Sequence, residues 1–432
     1  MIDRPSRYPW IVVAALMLVY TCGYIDRYAL TIVLDQVKAS FQASDSYMGF
    51  LAGPAFAVFF TLASLPIARL ADRYSRVIIL ALGCATWSAF TLLCAVANTK
   101  AEFTLARLGV GLGEAACLAP AYSLLADYFS PRCRALPVGF FNLSIYLGQI
   151  TGLWFGGGFS ASFGWRRTYQ IIGAPGLLIA VLFWLIVREP VRGGLDGGPV
   201  SRSPQPPFGD TAMWLFSIPA FRGMVIGSAL ATFSGMSFAY WAPAFFARVH
   251  HLPQNEVGRD YGLIFGISSM VGVLLAGKLG NLLAKNTLGR PLLISAAGVT
   301  ATMVFMAGVC FSPNMGVALG LLVPCGVANG TWLVPVQATL QDLVAAQTRA
   351  TAAAIFACLS LIVGFLGPWV VGALSDAWTP QFGDQTLRYA IAAVLIASIG
   401  SSIAFVFAAR CGSDGGAIRR IVSEHGDART AG

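Results

Sequence analysis

The sequence predicts an all-α integral membrane protein whose twelve transmembrane helices form two related six-helix bundles. Three observations support this fold class. Of the 432 residues, 57% are hydrophobic and only 11% are charged, whereas soluble proteins carry about 25% charged residues. Twelve apolar runs are long enough to cross a bilayer as helices. Two segments that lie 215 residues apart share the same residues at the same separations.

The apolar runs predict twelve helices joined by mostly short loops. A helix needs about 20 mostly apolar residues to cross the hydrocarbon core. The first run is not followed by a small-residue cleavage site, so we interpret it as a retained helix and not as a signal peptide. We number the runs as spans 1 to 12, and they lie near residues 10–37, 47–70, 77–97, 101–127, 135–160, 169–188, 220–247, 260–283, 290–311, 314–341, 349–374 and 386–409.

The shared residues indicate that the second half is a copy of the first. A looser echo relates Ala68–Asp72 to Gly277–Asn281 at an offset of 209 residues. Because the two offsets differ, residues must have been inserted or deleted between the two matching segments. A duplicated half explains both matches better than chance does. The residues repeated at the offset of 215 are Pro120, Asp127, Arg134, Ala135, Gly152, Trp154, Gly157 and Ser160, which return as Pro335, Asp342, Arg349, Ala350, Gly367, Trp369, Gly372 and Ser375.

A segment rich in glycine and proline separates the two groups of six spans. Its composition opposes both helix and strand, so we expect a flexible cytoplasmic linker. The predicted organisation is a first bundle over residues 1–188, the linker over 189–219, a second bundle over 220–410 and a cytoplasmic tail over 411–432.

The net charge of +9 arises mainly from basic residues near the ends of the spans. When both termini are placed on one side of the membrane, 19 of the 28 lysines and arginines lie on that side and seven lie on the other. Such a bias marks the cytoplasmic side. We therefore predict that both termini are cytoplasmic, and we interpret the charge as a topology signal and not as a surface for nucleic acid.

The sequence lacks the residue patterns of metal centres and ATP-driven pumps. All three histidines, His250, His251 and His425, fall outside the spans, and the nine cysteines form no CxxC pair. A GxxxxGKS or GxxxxGKT phosphate-binding loop is also missing from the sequence. We expect no metal, no cofactor and no enzymatic activity.

Four ionisable residues lie deep within the spans, where a charge costs a few kcal/mol or more. Asp26 and Arg27 lie on span 1, and Arg107 and Glu114 lie on span 4. Arg107 and Glu114 are seven residues apart, so they share one face of a helix at a separation of about 10 Å. A buried guanidinium needs a charged or hydrogen-bonded neighbour, so we predict that Asp26 contacts Arg107.

These charges predict a site that couples proton binding to movement of a substrate. If Arg107 left one acid for another acid or for a phosphate, the abandoned carboxylate would hold a proton more readily. A fixed ion pair that only orients spans 1 and 4 is the alternative interpretation. The sequence leaves the direction of Arg27 open, because this residue is about 100° around the helix from Asp26.

The second half lacks the charges of the first half. At the offset of 215, Leu322 stands for Arg107 and Asn329 stands for Glu114. We expect an amphipathic ligand to place an anionic head near Arg107 and an apolar chain against aromatic side chains, although ordinary packing would also explain each aromatic residue. The residues expected to line the cavity are Tyr122, Asn142, Phe238, Trp241, Asn329, Trp332 and Gln337.

Two segments resemble signatures of a known transporter family. Ala68–Arg76, between spans 2 and 3, resembles the GxLaDrxGrk signature of the major facilitator superfamily, with Ala68 and Ser75 at the two expected glycine positions. Arg107–Ala115 on span 4 resembles the second signature of that superfamily. Together with the twelve spans and the duplicated halves, this resemblance covers nearly the whole chain.

A closer resemblance concerns the spinster branch of the superfamily, whose members carry lysophospholipids and sphingoid lipids. Tyr24–Arg27, Asp72–Arg76 and Gly111–Ala115 carry this resemblance. It implies a monomeric secondary transporter that uses protons and membrane lipid. The short tails and the lack of an organelle-sorting signal suggest a bacterial inner membrane.

Charged residues at the cytoplasmic helix ends suggest a latch that closes the inner side of the transporter. Arginine complements the negative ends of helices, and an aspartate can bind across to a neighbouring bundle. A role of the arginines in topology alone is the alternative. The residues of the expected latch are Asp72, Arg73, Arg76, Asp127 and Arg134.

Three functional hypotheses remain open from the sequence, and the first two belong to the same class. The first is proton-coupled transport of lysolipid-like or sphingoid compounds by alternating access, and the second is transport of small organic anions or drugs. The third is a channel or a signalling receptor. A channel is disfavoured because the sequence has no ring of like charges and no filter-like loop, and a receptor because it has no sizeable soluble domain.

Overall fold

The computed structural model describes residues 7–130, 133–192, 208–283, 289–344 and 349–412. Within these ranges the regular elements are all helices. Ten helical stretches are long and apolar enough to cross a membrane. Two of them, Leu136–Ile186 and Ala352–Cys411, contain 51 and 60 residues, more than twice the length that one crossing needs. Each supplies two crossings, so the described residues form twelve spans and the predicted fold class is confirmed.

Spans 1 to 6 occupy the first half of the chain. Spans 5 and 6 form one helical stretch that turns at Gly164, where φ is 75° and ψ is 168°, a conformation that glycine adopts readily because it lacks Cβ. The bounds are Tyr8–Phe41 for span 1, Asp45–Phe50, Leu51–Ala55 and Phe56–Arg73 for span 2, Arg76–Val96 for span 3, Lys100–Glu114 and Leu118–Tyr128 for span 4, and Ala135–Ile186 for spans 5 and 6.

Spans 7 to 12 follow a short helix, Phe208–Ser217, which lies within the predicted linker. Apolar residues and a first-turn aspartate favour this helix, whereas the dense glycine and proline residues of the linker lie at 193–207, outside the described residues. The bounds are Pro219–Val249, Gln254–Leu283, Pro291–Cys310, Met315–Thr331 with Leu333–Leu343, Arg349–Gly364 with Leu366–Phe382, and Thr386–Leu395 with Ala397–Cys411.

Spans 4 and 10 are interrupted at equivalent positions. Each break lies just before a proline of the repeated set, Pro120 in span 4 and Pro335 in span 10. Proline has no N–H for the carbonyl four residues earlier, and its ring collides with that turn. The duplicated prolines therefore explain why both halves have the same interrupted helix.

The chain divides into two compact units. The first comprises Met1–Ser201 and Tyr240–Leu263, and the second comprises Arg202–Ala239 and Ile264–Gly432. The core of the first unit includes Val12, Leu80, Trp87, Leu124 and Phe183, from spans 1, 3, 4 and 6. The core of the second unit includes Phe221, Leu292, Val336, Phe356 and Phe405, from spans 7, 9, 10, 11 and 12.

Candidate functional site

Two ion pairs, one buried and one partly buried, link the middle of span 1 to span 4. Nη1 of Arg107 lies 3.6 Å from Oδ1 of Asp26, and both side chains are less than 5% exposed. Nε of Arg27 lies 3.1 Å from Oε2 of Glu114, and Nη2 of Arg27 also donates to that oxygen. The predicted contact between Asp26 and Arg107 is confirmed. We refer to Asp26, Arg27, Arg107 and Glu114 as the four-charge cluster.

Arg27, whose direction the sequence left open, points toward Glu114. Its guanidinium also lies 4.8 Å from the ring centre of Tyr24 and 4.9 Å from that of Phe56. A cation between aromatic faces gains about 0.5–2 kcal/mol per contact, depending on desolvation. Phe56 follows the π-helical turn Leu51–Ala55 of span 2, so this irregular turn helps to set the position of the ring.

Glycine brings the backbones of spans 3 and 4 into contact beside the cluster. A Cβ added to Gly113 would lie 2.5 Å from the backbone nitrogen of Trp87, and one added to Gly83 would lie 2.5 Å from Cβ of Ala116. Neither position accepts a side chain without movement of a neighbour. Glu114 is the last residue of its helix, so the break in span 4 places this carboxylate beside irregular backbone.

The four-charge cluster leaves several polar atoms without a hydrogen bond. Among the described residues, these atoms include Oδ1 of Asp26, Nε and Nη1 of Arg107, and Oε1 of Glu114. Desolvation of each ion costs several kcal/mol unless pairing and hydrogen bonds offset it. Arg107 therefore keeps two donor atoms, and Asp26 and Glu114 keep one acceptor atom each, that form no hydrogen bond within the described residues.

Two further residues contact or face the cluster, and sequence reasoning missed both. The Thr91 hydroxyl on span 3 lies 2.5 Å from Oδ2 of Asp26. Tyr169 on span 6 is fully buried and interacts electrostatically with Arg107. Hydroxyl groups are common on apolar helices, so only the three-dimensional packing identifies these two.

Arg76 lies at the centre of a second ionic cluster. This cluster is at the same end of the first bundle as the N terminus. Nε of Arg76 donates to Glu189 at 2.7 Å, and Nη1 donates to Oγ of Ser123 at 2.8 Å and to Asp127. The amide of Val77 donates to the second oxygen of Glu189 at 3.0 Å. We refer to Arg76, Asp127 and Glu189 as the Arg76 cluster.

Glu189 lies just after span 6, outside the membrane-spanning helices. Burial alone would raise its pKa, but hydrogen bonds from Val77, Arg76 and Ser75 outweigh burial and hold the pKa below its usual range. The carboxylate is therefore ionised and bound to Arg76 near neutral pH. This pair could not be predicted from the sequence, because 113 positions separate the two residues.

The other residues of the expected latch differ in their surroundings. Arg134 donates to the carbonyl oxygens of Ala126 and Phe129, so it caps the end of span 4. Arg73 is exposed. The side chain of Asp72 lies outside the part of the chain that the structure describes.

A third ionic cluster lies at the opposite end of the first unit. Arg248 donates to Asp35 and Asp45, with Nη1 lying 2.7 Å from Oδ2 of Asp45. Nζ of Lys38 lies 2.6 Å from Oδ1, the other carboxylate oxygen of Asp45. The Asp45 side chain is 2% exposed. These contacts fasten the end of span 7 to the end of span 1 and the start of span 2. We refer to these four residues as the Arg248 cluster.

The residues expected to line a cavity lie in different surroundings. Tyr122 donates to Oδ1 of Asn142 at 2.9 Å, and Phe238 and Trp241 are fully buried. Gln337 is exposed. Asn329 and Trp332 line a small space in the second unit, which is also lined by Ala231, Ser234, Gly235, Val299, Thr302, Met306 and Ser398.

Twelve spans in two duplicated halves, with ion pairs deep in the first half, are the architecture expected of a membrane transporter. Residues 16–368 match the family model described as Major Facilitator Superfamily. The chain belongs to this family of transporters, and it is therefore not an enzyme.

The relatives of the chain include spinster proteins and an efflux pump. It is 32% identical to an "MFS-type efflux pump" of Mycolicibacterium smegmatis over 390 residues, which cover 89% of each protein. It is 27% identical to "Protein spinster homolog 1" of Bos taurus over 420 residues, covering 90% of this chain and 78% of the relative.

A solved structure supports the same relationship. The crystal structure of a bacterial homologue of the human lysosomal transporter spinster, in an inward-facing and unoccupied conformation, superimposes with a TM-score of 0.83 at 26% sequence identity. The match covers 94% of this chain and 98% of the other. The predicted resemblance to the spinster branch is confirmed.

Proposed function

We propose that the protein is a proton-coupled secondary transporter that carries lysolipid-like or sphingoid amphipathic substrates by alternating access. The observation that carries this proposal is the four-charge cluster, in which two buried acids, the buried Arg107 and the partly buried Arg27 lie side by side on spans 1 and 4. In this proposal the cluster is both the proton site and the binding site of the substrate head.

The charge balance of the cluster provides the coupling. With both acids ionised the cluster is neutral, which suits a buried position. A proton on Asp26 removes the counter-ion of Arg107 and leaves one excess positive charge. An anionic head group, such as a phosphate, restores neutrality and can accept hydrogen bonds from Nε and Nη1 of Arg107. Proton binding and head-group binding therefore favour each other at this site.

The amphipathic nature of the substrate is supported by the asymmetry between the halves. The cluster lies entirely in the first half, whereas Leu322 and Asn329 occupy the equivalent positions of the second half. A ligand with one charged end needs one charged site and not two. The similarity to spinster proteins, including the bacterial homologue of a lysosomal transporter, supports the same substrate class.

Transport of small organic anions or drugs is the second candidate, and the similarity to the mycobacterial efflux pump favours it. The two candidates differ in where the substrate resides. A lysolipid partitions into the bilayer and enters from it, whereas a hydrophilic anion enters from water. Competition between the two classes of compound for uptake would distinguish them.

The test is transport by purified protein in proteoliposomes with an imposed pH gradient. We expect Arg107→Ala to abolish uptake of a fluorescent lysophospholipid while the protein stays folded, and Asp26→Asn, whose side chain cannot bind a proton, to remove the dependence on the pH gradient. Arg259→Ala is the matched control, because Arg259 is 51% exposed and pairs only with its neighbour Asp260 among the described residues. Normal, gradient-dependent uptake by both cluster variants would refute the proposal.

We also infer the arrangement in the cell from the charge bias and the resemblance. In this proposal the protein is a monomer of the bacterial inner membrane, with both termini in the cytoplasm and bundles over residues 1–188 and 220–410. The Arg76 cluster, with Asp72, Arg73 and Arg134, then lies on the cytoplasmic side and forms the latch. Labelling of the exposed thiol of Cys133 from either side of the membrane tests this orientation.

A further inference from the structure

The Thr91 hydroxyl contacts two oxygen atoms but has only one proton to donate. Oγ1 of Thr91 lies 2.5 Å from Oδ2 of Asp26 and 2.8 Å from the carbonyl oxygen of Trp87. The side chain is fully buried. A hydroxyl group donates one hydrogen bond and accepts up to two. Only one of the two oxygens can therefore accept the hydroxyl proton of Thr91 at any moment. The other oxygen can form a hydrogen bond with Oγ1 of Thr91 only if it carries a proton itself.

The two protonation states of Asp26 resolve this conflict in opposite ways. When Asp26 is ionised, Thr91 donates its proton to Oδ2 of the carboxylate. When Asp26 carries a proton on Oδ2, that proton is donated to Oγ1 of Thr91, and the hydroxyl proton of Thr91 turns to the carbonyl oxygen of Trp87. That carbonyl can accept a second bond in addition to the backbone bond of the helix. Only hydrogen atoms move between the two states.

We propose that Thr91 is a positioning residue of the coupling site, whose rotating hydroxyl satisfies Oδ2 of Asp26 in both protonation states and so keeps Oδ1 directed at Arg107. This inference rests on the proposed function, since it assumes that Asp26 takes up a proton during transport. Thr91 itself neither gains nor loses a proton. Its effect is that a proton arriving on Oδ2 changes the charge facing Arg107 without first requiring the carboxyl group to turn.

Other groups also face Asp26, and they bear on any pH dependence. Arg107 and Glu114 approach from span 4, and Tyr169 approaches from span 6. The remaining titratable or charged groups that interact with Asp26 are Cys22 and Arg27 on its own span and Cys94 on span 3. Of all these groups and Thr91, only the Thr91 hydroxyl forms a hydrogen bond to the Asp26 carboxyl group in the described structure.

Infrared difference spectroscopy of the full chain in lipid nanodiscs, recorded between acidic and neutral pH, tests the proposal without a substrate. The C=O stretching band of a protonated carboxyl group moves to higher frequency when its O–H loses its acceptor. Asp26→Asn identifies the band of Asp26 by removing it. We expect Thr91→Val to move that band to higher frequency and Thr91→Ser, which keeps a hydroxyl, to restore the wild-type frequency.

The second half supplies a matched control. Thr302 is a buried threonine of span 9 whose hydroxyl donates to the carbonyl oxygen of Gly298 at 2.8 Å, the same contact within the helix that Thr91 makes to Trp87. Among the described residues it has no acid as a partner. Thr302→Val therefore removes an equivalent hydroxyl, and we expect the Asp26 band to remain at the wild-type frequency.

The outcomes separate this inference from the proposed function. If Asp26→Asn removes no pH-dependent band, Asp26 does not exchange a proton, and both proposals fail. If the band is present but Thr91→Val leaves its frequency unchanged, the role of Thr91 is refuted and the proposed function stands. An equal shift in Thr91→Ser or in Thr302→Val would also refute it, since the effect would then arise from packing. If Thr91→Val does not fold, Thr91→Cys provides the test, because a thiol is a weaker donor and acceptor and should give an intermediate shift.

Discussion

Replacement of the ion pair between Arg27 and Glu114 by apolar side chains separates a functional pair from a purely structural one. We consider the single variants Arg27→Met and Glu114→Leu and the double variant that carries both. A pair that only orients spans 1 and 4 can be replaced by two apolar side chains that fill the same space. A pair that exchanges partners during transport cannot be replaced in this way.

The structure sets the expected loss of stability for each variant. Removing one partner of a buried pair costs about 3–5 kcal/mol, whereas replacing both partners by packed apolar residues is close to neutral. Glu114 is 5% exposed and Arg27 is 16% exposed, so Arg27→Met leaves the more deeply buried charge and should cost about 4 kcal/mol. Glu114→Leu should cost about 3 kcal/mol of stability, because the Arg27 guanidinium still contacts the rings of Tyr24 and Phe56.

Equilibrium unfolding in mixed micelles measures these changes, and lysophospholipid uptake into proteoliposomes measures function. We expect the double variant to be more stable than either single variant and yet inactive in transport. Arg259→Met provides the control, since removal of a solvent-exposed pair should leave the stability unchanged within the error of the measurement. If the double variant transports at the wild-type rate with the wild-type pH dependence, the pair between Arg27 and Glu114 is structural, and its assignment to the coupling site is wrong.

Three further predictions concern the surroundings of the site. Arg76→Ala should lower the free energy of unfolding by about 4 kcal/mol, because it removes the buried arginine that binds both Asp127 and Glu189; a loss below about 1 kcal/mol in the same unfolding assay would contradict this. Glu189 has a folded pKa below its ordinary value of 4.5, so its ionised form stabilises the fold above that value, and this stability is lost as pH falls through the folded pKa. Melting temperatures recorded during acidification should therefore fall more steeply for the wild type than for Glu189→Gln, and parallel curves would exclude such a contribution. Gly113→Ala should cost about 1–3 kcal/mol because its Cβ would lie 2.5 Å from the backbone of span 3. Gly158→Ala, whose Cβ meets no atom within 4 Å, should instead stabilise the helix by up to about 1 kcal/mol, and similar effects of the two alanines would argue against the packing at Gly113.

The spans and the contact between Asp26 and Arg107 could be predicted because each follows from a strong local requirement. An apolar run of about 20 residues has few alternatives to a membrane helix, and a buried arginine requires an acid. Only three other ionisable residues lie deep in the first half, so the choice of partner was small. The second pair was harder, because adjacent residues on one helix point in directions about 100° apart and the sequence does not say which neighbour Arg27 meets.

The Arg76 and Arg248 clusters could not be predicted in full, because their partners are brought together by the packing of distant helices. Asp35, Asp45 and Arg248 each lie near the end of a span, where charged residues are expected for topology alone. The residues next to such a charge in the sequence do not show whether the charge faces water or the end of another helix. The break in span 4 is an intermediate case, since Pro120 predicts an interruption but not that Glu114 ends the preceding helix.

The duplication itself separates residues that build the fold from residues that perform chemistry. Pro120 and Pro335 produce the same interruption in spans 4 and 10, so both bundles require this feature for their shape. Arg107, in contrast, has Leu322 as its counterpart, and Leu322 is fully buried in the second unit. An apolar side chain is therefore sufficient to pack a bundle at that position, and the desolvation of a guanidinium there is not a requirement of the fold. The desolvation of buried charge therefore costs the first half several kcal/mol that the second half avoids, and a binding role best explains this difference. The argument applies to Arg107 together with the acids that face it.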